Sequence, residues 1–354
     1  MGGRHGWWSS GGSSRVIFEG TTSTTRVPAI VGPTGIGKSA IAFELALKIG
    51  GEIVVADSRQ VYERLDIATN KPSPEQRRRV HYHMIDFVDP ATTFNAAGYV
   101  EGARAAIADI AARGNAPIVE GGTMLYVDAL CDGFGLTGVP PNAELRKELS
   151  RLNAASLSER LLALDPDPGV DLRNPVRVIR AIEVLETAGP PLSRLRRRTP
   201  PEWEALRIGL AADLQVIDRR LDLRSAEQVL RGLVEETQAA LDAGVPATAP
   251  VLSGIGYAEA LAHIRGEVTL KELPHVMARS NRRYARRQLR WWRKDPRVRW
   301  FPIDPDPMPG ILKYVESVRK KRPAQVPSAS ASSRRIYSLR SIARCRRRSA
   351  PAST

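Results

Sequence analysis

The sequence predicts an α/β fold: a parallel-sheet core, a helical insert within it, and a helical C-terminal part. Three observations predict this. Short apolar runs that close on glycine or aspartate recur at 27–31 (VPAIV), 52–57 (EIVVAD) and 116–122 (APIVEGG). Helical patterns fill the spaces between them, at 39–51 (SAIAFELALKIGG) and 96–115 (AAGYVEGARAAIADIAARGN), each ended by glycine. Strands alternating with helices make a parallel sheet covered on both faces. After about residue 131 the pattern turns wholly helical, at 140–165 and 174–189, until ALRIGLAAD at 205–213 returns to the sheet.

The domain boundaries follow from these shifts. Residues 1–26, rich in Gly, Ser and Thr, read as a flexible N-terminal extension. Residues 27–130 are the first part of the core and 131–200 the helical insert. Residues 201–304 continue the core and end in a basic helix, and 305–354 read as a disordered basic tail. The extension holds no apolar stretch of signal-peptide length, and the chain holds no apolar run long enough to span a bilayer. The expectation is a cytoplasmic monomer. The two cysteines, Cys131 and Cys345, have no metal-site spacing and read as reduced thiols.

The net charge of +15 is concentrated at the ends. Residues 319–354 carry eleven Arg or Lys and no acid, and 1–26 carry three Arg and one Glu, so the rest of the chain is nearly neutral. Basic surface within the folded part must therefore be local.

The chemistry-bearing motifs lie where the predicted strands end. Gly32-Pro33-Thr34-Gly35-Ile36-Gly37-Lys38-Ser39 has the spacing of a phosphate-binding loop, between a strand and a helix. Its backbone N–H groups would turn inward around a diphosphate or triphosphate. Lys38 would neutralise terminal oxygens, Ser39 would ligate Mg²⁺, and the helix N-terminus would add its dipole. This loop makes the core P-loop NTPase-like. Asp57 ends the next strand and should lie beside the loop, since ligands sit beyond strand carboxyl ends. Position alone leaves it a helix cap, an outer-shell Mg²⁺ partner or a general base. Thr123 follows two glycines after another strand, a pattern of close backbone approach to a ligand, or of an ordinary turn.

The most informative helix is RSNRRYARRQLRWWRK at 279–294. At 100° per residue its eight basic side chains fall within an arc of about 140°. Like charges at i,i+4 repel one another, so such a stripe predicts a polyanion, here nucleic acid.

Taken with six further motifs, these residues carry a resemblance to the bacterial tRNA isopentenyltransferase family, the tRNA dimethylallyltransferases. The motifs are DSRQVYERLDIATNKP, HMIDFVDP, GGTMLY, RNPVRVIRAIEV, GIGYAEAL and YARRQLRWWRKD, and the resemblance spans 28–301. It implies transfer of a dimethylallyl group from dimethylallyl diphosphate to the exocyclic amine of the adenosine 3′-adjacent to the anticodon, in tRNAs reading codons that begin with U. The loop would then hold the donor's diphosphate with Mg²⁺, and the partner would be the tRNA anticodon stem-loop. Asp57 would take the amine proton. Thr123 would position the amine or bond the leaving diphosphate. Asp57, Ser58, Arg59 and Gln60 would touch the target nucleotide. Arg177 and Arg180 of the insert, with Arg282, Arg283, Arg286, Arg287 and Arg290 of the basic helix, would meet tRNA.

The chain departs from the family pattern at Ala68, Asn70, Glu120 and Met124, and lacks an arginine usual near Leu214. Three rivals share the loop. An isopentenyltransferase acting on free adenine nucleotides would not need the arginine stripe. A small-molecule kinase would not need the last hundred residues. A tRNA-binding protein without turnover would not need Lys38, Asp57 and Thr123 together.

Overall fold

In the computed structural model the described residues are 25–136, 138–189, 191–195 and 198–320. The expected N-terminal extension before residue 25 and the basic tail after 320 lie outside them.

Strand β1 (Arg26–Val31) leads through the glycine-rich loop into helix α1 (Lys38–Ile49), and β2 (Gly51–Val55) follows. Helix α2 (Pro74–Arg79) is short and self-capped: the Ser73 hydroxyl accepts from the Gln76 N–H, and the Gln76 amide oxygen accepts from the Ser73 N–H. After β3 (Tyr82–His83), helix α3 (Ala96–Ala112) starts at Asn95, whose side chain accepts from the Gly98 N–H. Strand β4 (Ala116–Glu120) and helix α4 (Met124–Asp132) complete the first part.

The six-stranded sheet has the order β3-β2-β4-β1-β5-β6, once β5 (Glu204–Ala211) and β6 (Arg299–Pro302) are added, and every pairing is parallel. Both faces are covered, which is why the strands are nearly continuous apolar runs. Along β1, Val27, Ala29 and Val31 face one core with α3 and α4. Ile30 faces the other, with α1.

Between α4 and β5 lie α5 (Ala143–Leu149), α6 (Ala154–Leu164), α7 (Pro175–Ala188) and α8 (Leu192–Leu195). They enclose an apolar cluster of their own around Leu149, Leu161 and Ile182. After β5 come α9 (Leu214–Leu230), α10 (Leu233–Asp242), α11 (Tyr257–Ile264) and α12 (Leu273–Trp292). Buried Arg207 of β5 is 2.9 Å from Asp132 at the end of α4 and also pairs with Asp295 after α12.

The expected tail from 305 needs correction. Residues 308–320 form a further helix, α13 (Met308–Lys320). Met308, Ile311 and Val315 fall on one helical face and are buried in the same cluster as Ile30 and Phe301. That apolar face, hidden in a proline-rich surrounding, outweighs the composition. Strands β3 and β6, at the two sheet edges, also escaped the sequence reading because each is very short.

Candidate active site

A cavity of about 720 Å³ opens over the carboxyl ends of the central strands. The loops after β1, β2 and β4 form its floor, and α9 and α12 form its wall. This is the crevice where open parallel sheets bind ligands. It brings together the phosphate loop, Asp57, Ser58, Arg59, Gln60 and Thr123, as the motifs predict.

In the phosphate loop, Gly35 has φ 81°, and a Cβ there would come 2.7 Å from the Leu221 side chain of α9. Lys38 is buried, and its ammonium donates to the Pro33 carbonyl at 3.1 Å. Burial lowers its pKa, and the nearby Glu120 charge only partly opposes this. Ser39 donates to Oε1 of Glu120 at 3.1 Å. Glu120 ends β4 as a buried carboxyl whose pKa burial raises.

Sequence reasoning missed the second cation. Arg224 of α9 donates to the Thr34 hydroxyl at 3.0 Å and to Oδ1 of Asn281 at 3.1 Å. Its Nε is buried with no hydrogen-bond partner, and burial lowers its pKa to about 10. Arg220, one turn earlier, donates to the Ile36 carbonyl at 3.0 Å. Neither Lys38 nor Arg224 forms a salt bridge among the described residues. Two desolvated cations beside a glycine-rich loop and a helix N-terminus suit a polyanionic group. The arginine usual near Leu214 is absent, but the same helix brings Arg220 and Arg224 to the phosphate loop.

Asp57 lines the cavity, and its Oδ1 accepts from the Arg59 N–H at 2.8 Å. The Thr123 hydroxyl accepts from the Ser58 N–H at 2.9 Å and lies 3.3 Å from the Ser58 hydroxyl, so it ties the β2 and β4 loops together. The two glycines before it line the cavity and are also required by the protein's own packing. A Cβ on Gly121 would lie 2.1 Å from the Ala56 carbonyl, and one on Gly122 would meet the Gln288 amide at 2.6 Å.

Gln288, also missed, is fully buried between two loops. Its amide oxygen accepts from the Thr34 N–H at 2.7 Å, and its amide nitrogen donates to the Gly122 carbonyl at 2.8 Å. Tyr284 donates to the same carbonyl at 3.0 Å. Gln60 is buried, and its amide donates to the Thr69 carbonyl. Arg59 donates to the Ser253 hydroxyl at 3.2 Å and to the Pro250 carbonyl. Both bring the 66–70 loop and the α11 approach to the cavity edge.

Departures from the family pattern are accommodated. Ala68 and Asn70 line the cavity, and Asn70 has φ 52°, a conformation asparagine tolerates well. The Met124 side chain packs into the core with Tyr99 and Tyr126 and does not line the cavity.

The basic stripe divides. Arg283, Arg287 and Arg290 are exposed at i, i+4 and i+7, and the first two line the cavity. Arg286 instead pairs in two contacts with Asp218 of α9, at 2.8 and 3.0 Å, and Arg282 pairs with Asp222. Of the five arginines expected to meet tRNA, these two are thus paired within the protein. The acids lie one turn apart on α9, which packs along α12. Within the insert, Arg177 is exposed, but Arg180 pairs with buried Glu183 and donates to the Val139 carbonyl at 2.6 Å. Neither is near the cavity floor.

A sequence profile of IPP transferases matches residues 60–295. The chain is 42% identical over 283 residues to a tRNA dimethylallyltransferase of Thermomicrobium roseum, covering 78% of this chain and 86% of that one. It is likewise 42% identical over 300 residues to one of Geobacter metallireducens, covering 82% and 96%. A tRNA isopentenylpyrophosphate transferase structure from Bacillus halodurans superposes with a TM-score of 0.62 at 32% identity, covering 83% of this chain and 95% of that one. With a profile match over more than half of its length and relatives of this identity and coverage, the chain belongs to the IPP transferase family.

Proposed function

We propose that this chain transfers the dimethylallyl group of dimethylallyl diphosphate to the exocyclic amine of a tRNA adenosine, the one 3′-adjacent to the anticodon in tRNAs reading codons that begin with U. The observation that carries this reading is one cavity with two unlike ends: Lys38, Arg224 and the loop amides at the floor, and the exposed Arg283 and Arg287 at the mouth. The floor suits a diphosphate, and the mouth suits an RNA backbone.

Transfer joins the adenine nitrogen to the allylic carbon as the bond from that carbon to the diphosphate oxygen breaks. Asp57 accepts the proton that the amine sheds. The amine grows acidic as its new bond forms, which lets a carboxylate act as base. Negative charge builds on the departing diphosphate. Lys38, Arg224 and the loop N–H groups stabilise it at no reorganisation cost, because the protein already holds them in place. Thr123 and Gln288 keep the loops that carry these groups in register.

Ser39 and Glu120 supply hard oxygen donors 3.1 Å apart beside the loop, a donor set that fits Mg²⁺. When bound, that ion would neutralise charge on the diphosphate. The adenosine must leave its base stack to reach the floor, and single-stranded loop nucleotides yield most easily.

The test is incubation with dimethylallyl diphosphate, Mg²⁺ and unmodified tRNA, with AMP as acceptor in a parallel reaction. Nucleosides are then identified by mass spectrometry. The expected result is isopentenyladenosine from tRNA and none from AMP. Product from AMP alone would overturn the tRNA assignment, and no product from either would overturn the transferase.

A further inference from the structure

At the opposite, amino-terminal ends of the strands, a second polar cluster takes no part in the site described above. Glu52 of β2, His81 just before β3 and His83 within it stand on one face of the sheet edge. The register pairs Ile53 with Tyr82 and Val54 with His83, which sets Glu52 beside His81. Side chains two apart on a strand share a face, so both imidazoles stand beside the carboxylate. The two rings lie 4.4 Å apart between centroids. Nε2 of His83 lies 2.7 Å from Oε2 of Glu52. One nitrogen from each histidine and one carboxylate oxygen all fall within 4.8 Å of one another.

We propose that Glu52, His81 and His83 form a binding site for a borderline divalent transition-metal ion such as Zn²⁺. Two imidazoles and one carboxylate are a donor set suited to Zn²⁺ rather than to Mg²⁺ or Ca²⁺, which favour oxygen. Ligand atoms around a tetrahedral Zn²⁺ stand about 3.3 Å apart, so small side-chain rotations close the observed spacing. Glu52 is buried, while His81, just before the edge strand β3, is exposed and leaves the fourth position to water.

The carboxylate is also held from behind. The Arg113 guanidinium donates to both its oxygens, and the Asn115 amide donates to Oε1. Ligating carboxylates are commonly oriented by such outer partners. On binding, the hydrogen bond between His83 and Glu52 gives way to two metal bonds, and the ring proton of His83 moves to its other nitrogen. The ion would pin the two-residue strand β3 to β2.

The test uses untagged full-length protein, stripped with EDTA and held in saturating Mg²⁺, titrated with Zn²⁺ by calorimetry. The expected result is one equivalent bound. His81→Ala and His83→Ala should each weaken binding by more than about tenfold. His275→Ala, which removes an exposed imidazole elsewhere, should change nothing. The melting temperature should rise with Zn²⁺ in the wild type and not in His81→Ala. No uptake, or uptake that survives both substitutions, would overturn the site. If His83→Ala fails to fold, exposed His81 decides alone. Prenyl transfer by His81→Ala in Mg²⁺ should equal that of the wild type, so this result stands apart from the proposed function.

Discussion

Gln288 joins two loops that lie 254 and 166 residues away from it in the chain. Its role follows from having both a donor and an acceptor on one buried amide. Gln288→Ala leaves the Thr34 N–H without its partner beside the phosphate loop. Such a loss costs about 1–3 kcal/mol, so kcat/KM for prenyl transfer should fall roughly 10- to 100-fold. Steady-state kinetics on tRNA would check this, and unchanged kinetics would remove Gln288 from the account. Lys38, Asp57 and Thr123 were legible in the sequence because each sits in a local motif at a strand end. Arg224, Asn281 and Gln288 were not, because each acts on a group far away in the chain. An arginine on a helix face reads as solvated until the fold sets it against a glycine-rich loop.

Helix α12 shows the same limit one level up. Its 100° periodicity revealed the stripe, but α9 decides which arginines remain open. Asp218 and Asp222 pair with Arg286 and Arg282, while Arg283, Arg287 and Arg290 stay exposed. The two classes should separate by salt. Arg287→Ala should weaken tRNA binding and reduce the slope of log affinity against log salt by about 0.7–0.9, one phosphate contact. Arg286→Ala should leave that slope unchanged. Affinity measured across a salt series would check both, and equal slopes for the two variants would contradict the division. The insert teaches a similar lesson. Its helices were visible in the sequence, yet Arg180 is spent on Glu183, a pairing within one helix that no charge count distinguishes from an open cation.

Across the whole molecule, the alternation of strands and helices was legible because buried parallel strands are apolar throughout. Helix α13 was not, since the prolines and the basic tail around it masked three apolar positions. Contacts between residues far apart in the chain were also hidden. Arg207 links β5 to Asp132 at the end of α4 and to Asp295 just after α12, in one cluster away from the cavity lining. Burial pushes the Asp295 carboxyl up, but hydrogen bonds from Arg297 and the charge of Arg207 outweigh this and hold it at about 2. Its ordinary value is 3.8, so the stability it contributes is complete above that pH and is lost as pH falls toward 2. Much of Arg297 is exposed and screened, so the contribution is about 1–2 kcal/mol. Asp295→Asn should cost this much at pH 7 and progressively less below pH 3.8, a trend that urea unfolding at several pH values would reveal.

The sheet, its loops and the two helices that wall the cavity converge on one claim: Asp57 accepts a proton beside a diphosphate that Lys38 and Arg224 grip. Single-turnover transfer by Asp57→Asn, at saturating donor and tRNA, tests it most directly. The expected rate is about 10²- to 10⁴-fold below wild type, with donor affinity unchanged. A rate within a few-fold of wild type would contradict it.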